Sequence, residues 1–321
     1  MPPPRHSSPA ELWESALGKL RRFVSPQAAQ LLAIRDGRAP RAPLARAADQ
    51  RDGESWLQLP EGLPLERLDE FVDRDPWPLP HPDDREGYHG ERHFDYWLSG
   101  LTDWWSIGRT LARHGADLAP GAAVLDLGCA SGRVLRHFLA QGDRLDLFGA
   151  DINHRHVEWV RRHLASASCK PLPTTILPTL PLPDHALDLV YAFSVLTHID
   201  EFELGWLAEL RRVLAPGGIA YLTIHSEHTW SALNPDWALW HGLIGHCRDE
   251  DDRPVTARTF EEPMGRERAV FRWKRSGNYI CNVFHRSDYI QGTWGRFFDV
   301  LEIVEEGADY QDVVVLRRPR R

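Results

Sequence analysis

From residue 122 to residue 224, short apolar runs alternate with segments of helical spacing. That rhythm restricts the fold more than any other feature of the chain. Residues 122–127, 145–150, 187–193 and 219–224 read as buried strands, with a shorter strand expected at 174–177 inside a Pro-rich stretch. Between them Val134, Leu135, Phe138 and Leu139, then Val157, Val160 and Leu164, then Leu207, Leu210 and Leu214 recur at helical intervals. Alternating strands and helices form βαβ units, hence a parallel sheet with right-handed crossovers.

The flanks differ in kind. Residues 1–118 are rich in Arg, Pro and Trp, with short helices expected at 12–24 and 26–35. Pro76, Pro78, Pro80 and Pro82 exclude a helix or central strand across 73–84. A helix is expected at 96–114, where Trp97, Leu101, Trp104 and Trp105 share one face. Residues 226–286 carry no clean βα unit. A helix at 287–294 follows, then strands at 297–305 and 312–316 joined by a Gly307-Ala308-Asp309 turn, which reads as an antiparallel hairpin. The expected organisation is a cap at 1–118, a core at 119–225, a lid insertion at 226–296 and a hairpin at 297–321 that completes the core sheet.

Composition removes several classes. The net charge of -8 argues against a nucleic-acid partner, whose binders carry a basic face. The basic end, Arg317 to Arg321, reads as a solvated tail. Cys129, Cys169, Cys247 and Cys281 form no C-x-x-C pair, which fits a reducing compartment and no zinc site. No apolar stretch follows the N-terminal Met-Pro-Pro-Pro-Arg-His as in a signal peptide, and none is long enough to span a membrane. A cytoplasmic protein is the expectation.

The chemistry concentrates where the first strand ends, in Val-Leu-Asp-Leu-Gly-Cys-Ala-Ser-Gly-Arg, Val124 to Arg133. Gly128 and Gly132 let the backbone approach a ligand and turn into a helix whose first N–H groups lack helical partners. The dinucleotide pattern G-x-G-x-x-G/A would put Ala130 and Arg133 at its second and third key positions, and an arginine fits badly where helix must pack on strand. Asp151 closes the second strand, where an acid can accept both hydroxyls of a ribose.

This turn resembles the first motif of class I S-adenosylmethionine-dependent methyltransferases, with Ala130 at the place of the usual middle glycine. Asp151 in Phe-Gly-Ala-Asp-Ile-Asn, the block from Pro181 to Ile199 and the block from Trp206 to Gly218 resemble that family's later motifs in order, over about residues 120–225. They are similar to the small-molecule branch that includes ubiquinone- and menaquinone-biosynthesis enzymes. The resemblance implies a Rossmann-like, doubly wound, mostly parallel seven-stranded sheet and S-adenosylmethionine as cofactor. It implies that Asp126, Gly128, Cys129, Ala130, Ser131, Gly132 and Arg133 meet the methionine end, and Asp151 and Ile152 the ribose and adenine. Ser194 ends the fourth strand at the same edge. No acidic adenine partner is evident before the Pro-rich stretch.

Methyl transfer requires alignment of cofactor and acceptor, and departure of any acceptor proton. Histidine suits that proton near neutral pH. His198 and His225 both follow strands at the carboxyl edge, where doubly wound sheets bind ligands, and either can be the base. No helical pairing supports a metal at His198, His225 and His285. Trp97, Trp104 and Trp105, and Trp230, Trp237 and Trp240, read either as core or as an apolar or sugar-stacking wall. The function expected is methylation of a small molecule, at oxygen, with a non-catalytic binding or scaffold subunit or nitrogen methylation as the alternatives.

Overall fold

A computed structural model describes residues 60–320, except 61, 142–143, 167 and 274–279. The helices expected at 12–24 and 26–35 lie outside the described residues. The core elements are β1 (Ala123–Leu127), α3 (Leu135–Gln141), β2 (Asp146–Asp151), α4 (His154–His163), β3 (Cys169–Pro173), β4 (Leu187–Ala192), α5 (Glu203–Val213) and β5 (Leu214–Ser226). Two helices precede them, α1 (Leu68–Asp73) and α2 (His93–Arg113). After β5 come α6 (Glu227–Ala232), α7 (Ala238–Leu243), β6 (Cys247–Arg248), β7 (Arg268–Trp273), β8 (Cys281–His285), α8 (Ser287–Thr293), β9 (Asp299–Ala308) and β10 (Gln311–Arg317).

The central strands run in the order β3-β2-β1-β4-β5, all parallel. β10 then pairs antiparallel with β5, and β9 antiparallel with β10. These strands form the expected seven-stranded, mostly parallel sheet with its C-terminal hairpin. The hairpin turns at Asp309 and Tyr310 rather than at Gly307 to Asp309, because Ala308 already pairs with Gln311. Apolar side chains cover both sheet faces, as buried parallel strands require.

The strand expected at 174–177 is displaced to Cys169–Pro173. Thr-Thr-Ile-Leu has the better strand composition, but among the described residues β3 pairs with β2 alone, and such an edge tolerates Pro171 and Pro173. Thr174 instead turns over the carboxyl edge, its N–H donating to the Asp151 carbonyl at 3.0 Å. β5 also starts earlier than expected, at Leu214. Pro216 and Gly217 are absorbed in an irregularity of its pairing with β4.

Residues 226–286, where the sequence shows no regular unit, hold a small antiparallel sheet, β6-β7-β8. β8 joins the last two residues of β5 in parallel, His225 opposite Phe284 and Ser226 opposite His285. The insertion therefore prolongs the main sheet at its carboxyl edge. Glu203, buried at the start of α5, holds it there. Its carboxylate takes the indole N–H of Trp294 at 2.7 Å and the Tyr289 hydroxyl at 3.1 Å, and lies 2.6 Å from Arg268 Nε and 3.2 Å from His285 Nε2. Burial alone would push this carboxyl up. The His285 hydrogen bond and charge, with Arg268 and Trp294, outweigh it and bring it to about 2.

The N-terminal side is tied down by Asp75. Its oxygens accept from Arg136 Nε at 2.6 Å, Arg136 Nη2 at 2.8 Å and Trp97 Nε1 at 2.8 Å. Arg136 also donates to the Trp77 and Pro78 carbonyls at 2.7 and 3.1 Å. Both members of the ion pair have no exposed side-chain surface. Trp97 is core, while Trp104 and Trp105 pack edge-on against Phe71 of α1. Removing one partner of a fully buried pair leaves an uncompensated charge. Asp75→Ala should therefore lower unfolding stability by about 3–5 kcal/mol, read by urea titration. A loss under about 1 kcal/mol would show that the pair does not hold the cap.

Candidate active site

β1 and β2 end side by side, Leu127 opposite Ala150. The turn after β1 folds back on that register. Gly128 N–H and Cys129 N–H donate to the Ala150 carbonyl at 2.7 and 3.0 Å, and Ala130 N–H donates to Asp151 Oδ2 at 2.8 Å. Asp151 Oδ1 accepts from Asn153 N–H at 2.7 Å. A carboxylate offers about four lone pairs, so these two bonds orient Asp151 without exhausting it. Gly128 and Gly132 have φ of +76° and +80°, where a Cβ would strike Val195 and Leu164 side chains at 2.3 and 2.4 Å. Both positions therefore require glycine for space as well as for conformation.

Of the expected cofactor residues, Asp126, Gly128 to Arg133, Asp151 and Ile152 come together at this corner, while Ser194 lies across from it. The Cys129 side chain is buried in the core, and its thiol lies against Gly149. The Ser131 hydroxyl donates to the Asp84 carbonyl of the N-terminal segment. Arg133 pairs with Asp103 at 2.5 Å and faces the Phe193 ring at 5.5 Å. Ile152 is an exposed apolar side chain beside Asp151, as are Ile176 and Leu177 on the loop after Thr174. Asp126 is buried at the end of β1 opposite Tyr191. Burial pushes its carboxyl up to about 7, against the pull of the Tyr191 hydroxyl and Arg133.

Ala130 has φ +45°, a left-handed conformation that strains an alanine.

The N-terminal segment lies along the same edge. Arg155 of α4 donates to the Asp83 carbonyl and sits 3.3 Å from Asp84 Oδ1, and Asn153 donates to Glu86 at 3.1 Å. Across the site, Ser194 lies just past the end of β4 at φ +56°, its N–H donating to Thr223 Oγ1 at 2.7 Å. Gln311 donates to Ser194 Oγ at 2.8 Å and lies 3.3 Å from His225 Nε2. An amide N–H only donates, so it occupies the acceptor nitrogen of His225. His225 is buried between Phe284 and Tyr310, and burial drives its pKa well below the ordinary value. To act as base it would have to release Gln311.

His198 Nδ1 lies 2.7 Å from the Cys281 carbonyl, which can only accept, so that nitrogen carries the proton in the neutral ring. Burial lowers its pKa, against the Cys281 carbonyl and Glu86, which raise it. His285 belongs to the Glu203 cluster, and no group of His, Cys, Asp or Glu among the described residues could hold a metal. Of the tryptophans, Trp237 stacks on Tyr310 at 5.2 Å, beside His225, and Trp230 is core of the insertion. Gln311 and Thr174 escape sequence reasoning. Each is an isolated polar residue whose place depends on distant pairing.

Residues 124–218 match a family model described as a methyltransferase domain. The match runs from β1 into β5 and holds both strand ends that build the corner. A sterol 24-C-methyltransferase from Gibberella zeae is 33% identical over 124 residues, which is 36% of this chain and 32% of that protein. The chain thus spans about a third of the curated relative it matches. A solved S-adenosylmethionine-dependent methyltransferase from Methanosarcina mazei is 16% identical, covering 65% of this chain and 98% of that one with a TM-score of 0.45. A 1,6-didemethyltoxoflavin-N1-methyltransferase from Burkholderia thailandensis, solved with 1,6-didemethyltoxoflavin and S-adenosylhomocysteine, is 13% identical, covering 84% and 97% with a TM-score of 0.46.

The left-handed Ala130 gives a direct check on the turn. Ala130→Gly should raise unfolding stability by up to about 1 kcal/mol, and Ala130→Val should lower it by more, in paired thermal melts. A glycine variant less stable than the parent would contradict the strain.

Proposed function

We propose that this chain is a methyltransferase that uses S-adenosylmethionine to methylate a small molecule, at oxygen. The observation that carries the reading is the corner where β1 and β2 end. A glycine turn lies there against a carboxylate oriented by two backbone N–H groups, inside the matched domain. Asp151 takes the ribose hydroxyls and Ile152 lies against adenine. The residues from Asp126 to Arg133 hold the methionine end. In that loop Cys129 and Ser131 act through the backbone, because their side chains face the core and Asp84.

When bound, the cofactor supplies an electrophilic methyl group on a sulfonium. The chain aligns the acceptor with it and removes the acceptor's proton. His198 Nε2 receives that proton, since Nδ1 is held by the Cys281 carbonyl. Ser194 and Gln311 supply polar contacts on the acceptor side, and Trp237 with Tyr310 an aromatic wall. The N-terminal segment and the insertion cover this edge as a lid. Oxygen as the acceptor atom rests on His198, because a hydroxyl proton must be removed for the product to be neutral.

Asp151→Ala removes a charged acceptor of ribose hydrogen bonds, worth about 1.5–3 kcal/mol, so affinity for S-adenosylhomocysteine should fall about tenfold to hundredfold in calorimetric titration. Unchanged affinity in a folded variant would sink the cofactor site.

His198→Ala should lower turnover about 10²–10⁴-fold with near-normal cofactor binding. The base must be neutral, and burial depresses its pKa. Activity should therefore rise with pH to a plateau, with a midpoint below the ordinary histidine value of about 6.5. A folded His198→Ala protein with full activity on its natural acceptor would exclude His198 as the base.

A further inference from the structure

Arg317 and Arg318, in the run that reads as a solvated tail, are bound at two helix ends. Arg317 Nη2 donates to the His114 carbonyl at 2.6 Å, at the end of α2. Arg318 Nη1 donates to the Leu214 carbonyl and lies 3.3 Å from the Arg212 carbonyl, at the end of α5. Cations suit these places, where carbonyls lack helical partners. The backbone follows: Arg318 N–H donates to the Gly218 carbonyl and Gly217 N–H to the Arg318 carbonyl, both at 2.9 Å. Arg320 is thereby held against Gly217, where a Cβ would come within 3.2 Å of its Nε. Arg320 is exposed and makes no hydrogen bond or ion pair among the described residues.

Arg317 and Arg320 line a cavity of about 450 Å³ at the amino edge of the sheet, the side away from the glycine turn. Asp117, from the loop before β1, and Asp188 of β4 line it as well. The strand order β1-β4-β5-β10 sorts these charges. The acids stand at the β1 and β4 end and the arginines at the β10 end, with the Gly217-Gly218 turn of β5 between them. No ion pair among the described residues joins these acids to these arginines. Asp188 accepts from Ala123 N–H with one oxygen at 2.9 Å, and Asp117 makes no hydrogen bond among the described residues. Opposite charges that line one cavity without meeting leave room for a ligand between them. The volume lies in the range of small-molecule sites.

We infer that this cavity binds a phosphate monoester whose far end carries hydroxyl groups, as in a phosphorylated sugar. Two guanidinium forks at one end suit the three acceptor oxygens of a phosphate, and carboxylates at the other end accept from hydroxyls. The sheet separates this cavity from the cofactor corner. The site therefore stands or falls independently of the methyl-transfer reading.

The test titrates the full chain with glucose 6-phosphate and, separately, with inorganic phosphate, read by NMR at the Gly217 and Gly218 amides. Glucose 6-phosphate should shift both amides saturably, and phosphate should bind at least about tenfold more weakly. Arg320→Gln should weaken glucose 6-phosphate about tenfold to hundredfold. Asp117→Ala should weaken it about threefold to tenfold and leave phosphate within about twofold of the parent. Both residues are exposed, and circular dichroism establishes folding. If Arg320→Gln does not fold, Asp117→Ala decides. No saturable shift below ~10 mM glucose 6-phosphate overturns the site. Unchanged affinity in folded Arg320→Gln overturns it too. Phosphate binding as tightly as glucose 6-phosphate, or equal weakening of both by Asp117→Ala, also overturns it, since the acidic end then meets no hydroxyl.

Discussion

A carboxylate and a guanidinium with no exposed surface, Asp75 and Arg136, fix where the N-terminal segment can lie. Such a pair adds little net stability, because desolvation of both charges offsets their attraction, but neither can be left alone inside. The demand is geometric. Arg136 belongs to α3, the helix that follows the glycine turn. Asp75 precedes a run of prolines that cannot pair with any strand. Joining them, and adding the Trp77 and Pro78 carbonyls to the same guanidinium, lays that run across the helix. The chain beyond it then falls on the turn and on α4, where Asp83, Asp84 and Glu86 meet Arg155, Ser131 and Asn153.

The opposite flank obeys the same rule. Glu203 starts α5 in an otherwise apolar setting and gathers donors from β7, β8, α8 and the turn after it. A buried carboxylate tolerates its place only when such donors converge. Those donors come from a segment more than sixty residues away, and bringing them in seats β8 beside the end of β5. Two buried acids, one on each side, thus crowd the carboxyl edge of the sheet with segments from outside the core. The polar groups there then gain fixed roles. Gln311 occupies His225, and Cys281 orients His198.

The central fold is legible in the sequence because its signals are local. Apolar runs, helical spacing and glycines at a tight turn specify β1 through β5 with little help from elsewhere. The displaced edge strand shows the limit of that logic. Composition favours Thr174 to Leu177, while pairing with β2 selects Cys169 to Pro173, since an edge strand has one free side on which proline costs nothing. The small sheet of the insertion is illegible for a related reason. β6 is two residues long, and no local pattern marks so short a strand.

The sequence by itself determined the parallel core and the glycine turn with Asp151 beside it. Each depends on backbone conformation or on neighbours one βαβ unit away. Only the tertiary structure decided which nitrogen of His198 carries the proton and which loop side chains turn into the core. Those outcomes hang on contacts between residues far apart in the chain: Cys281 with His198, Gln311 with His225, Asp84 with Ser131. A buried polar group takes its state from whichever partner reaches it, and partners at such separations leave no periodic trace in the sequence.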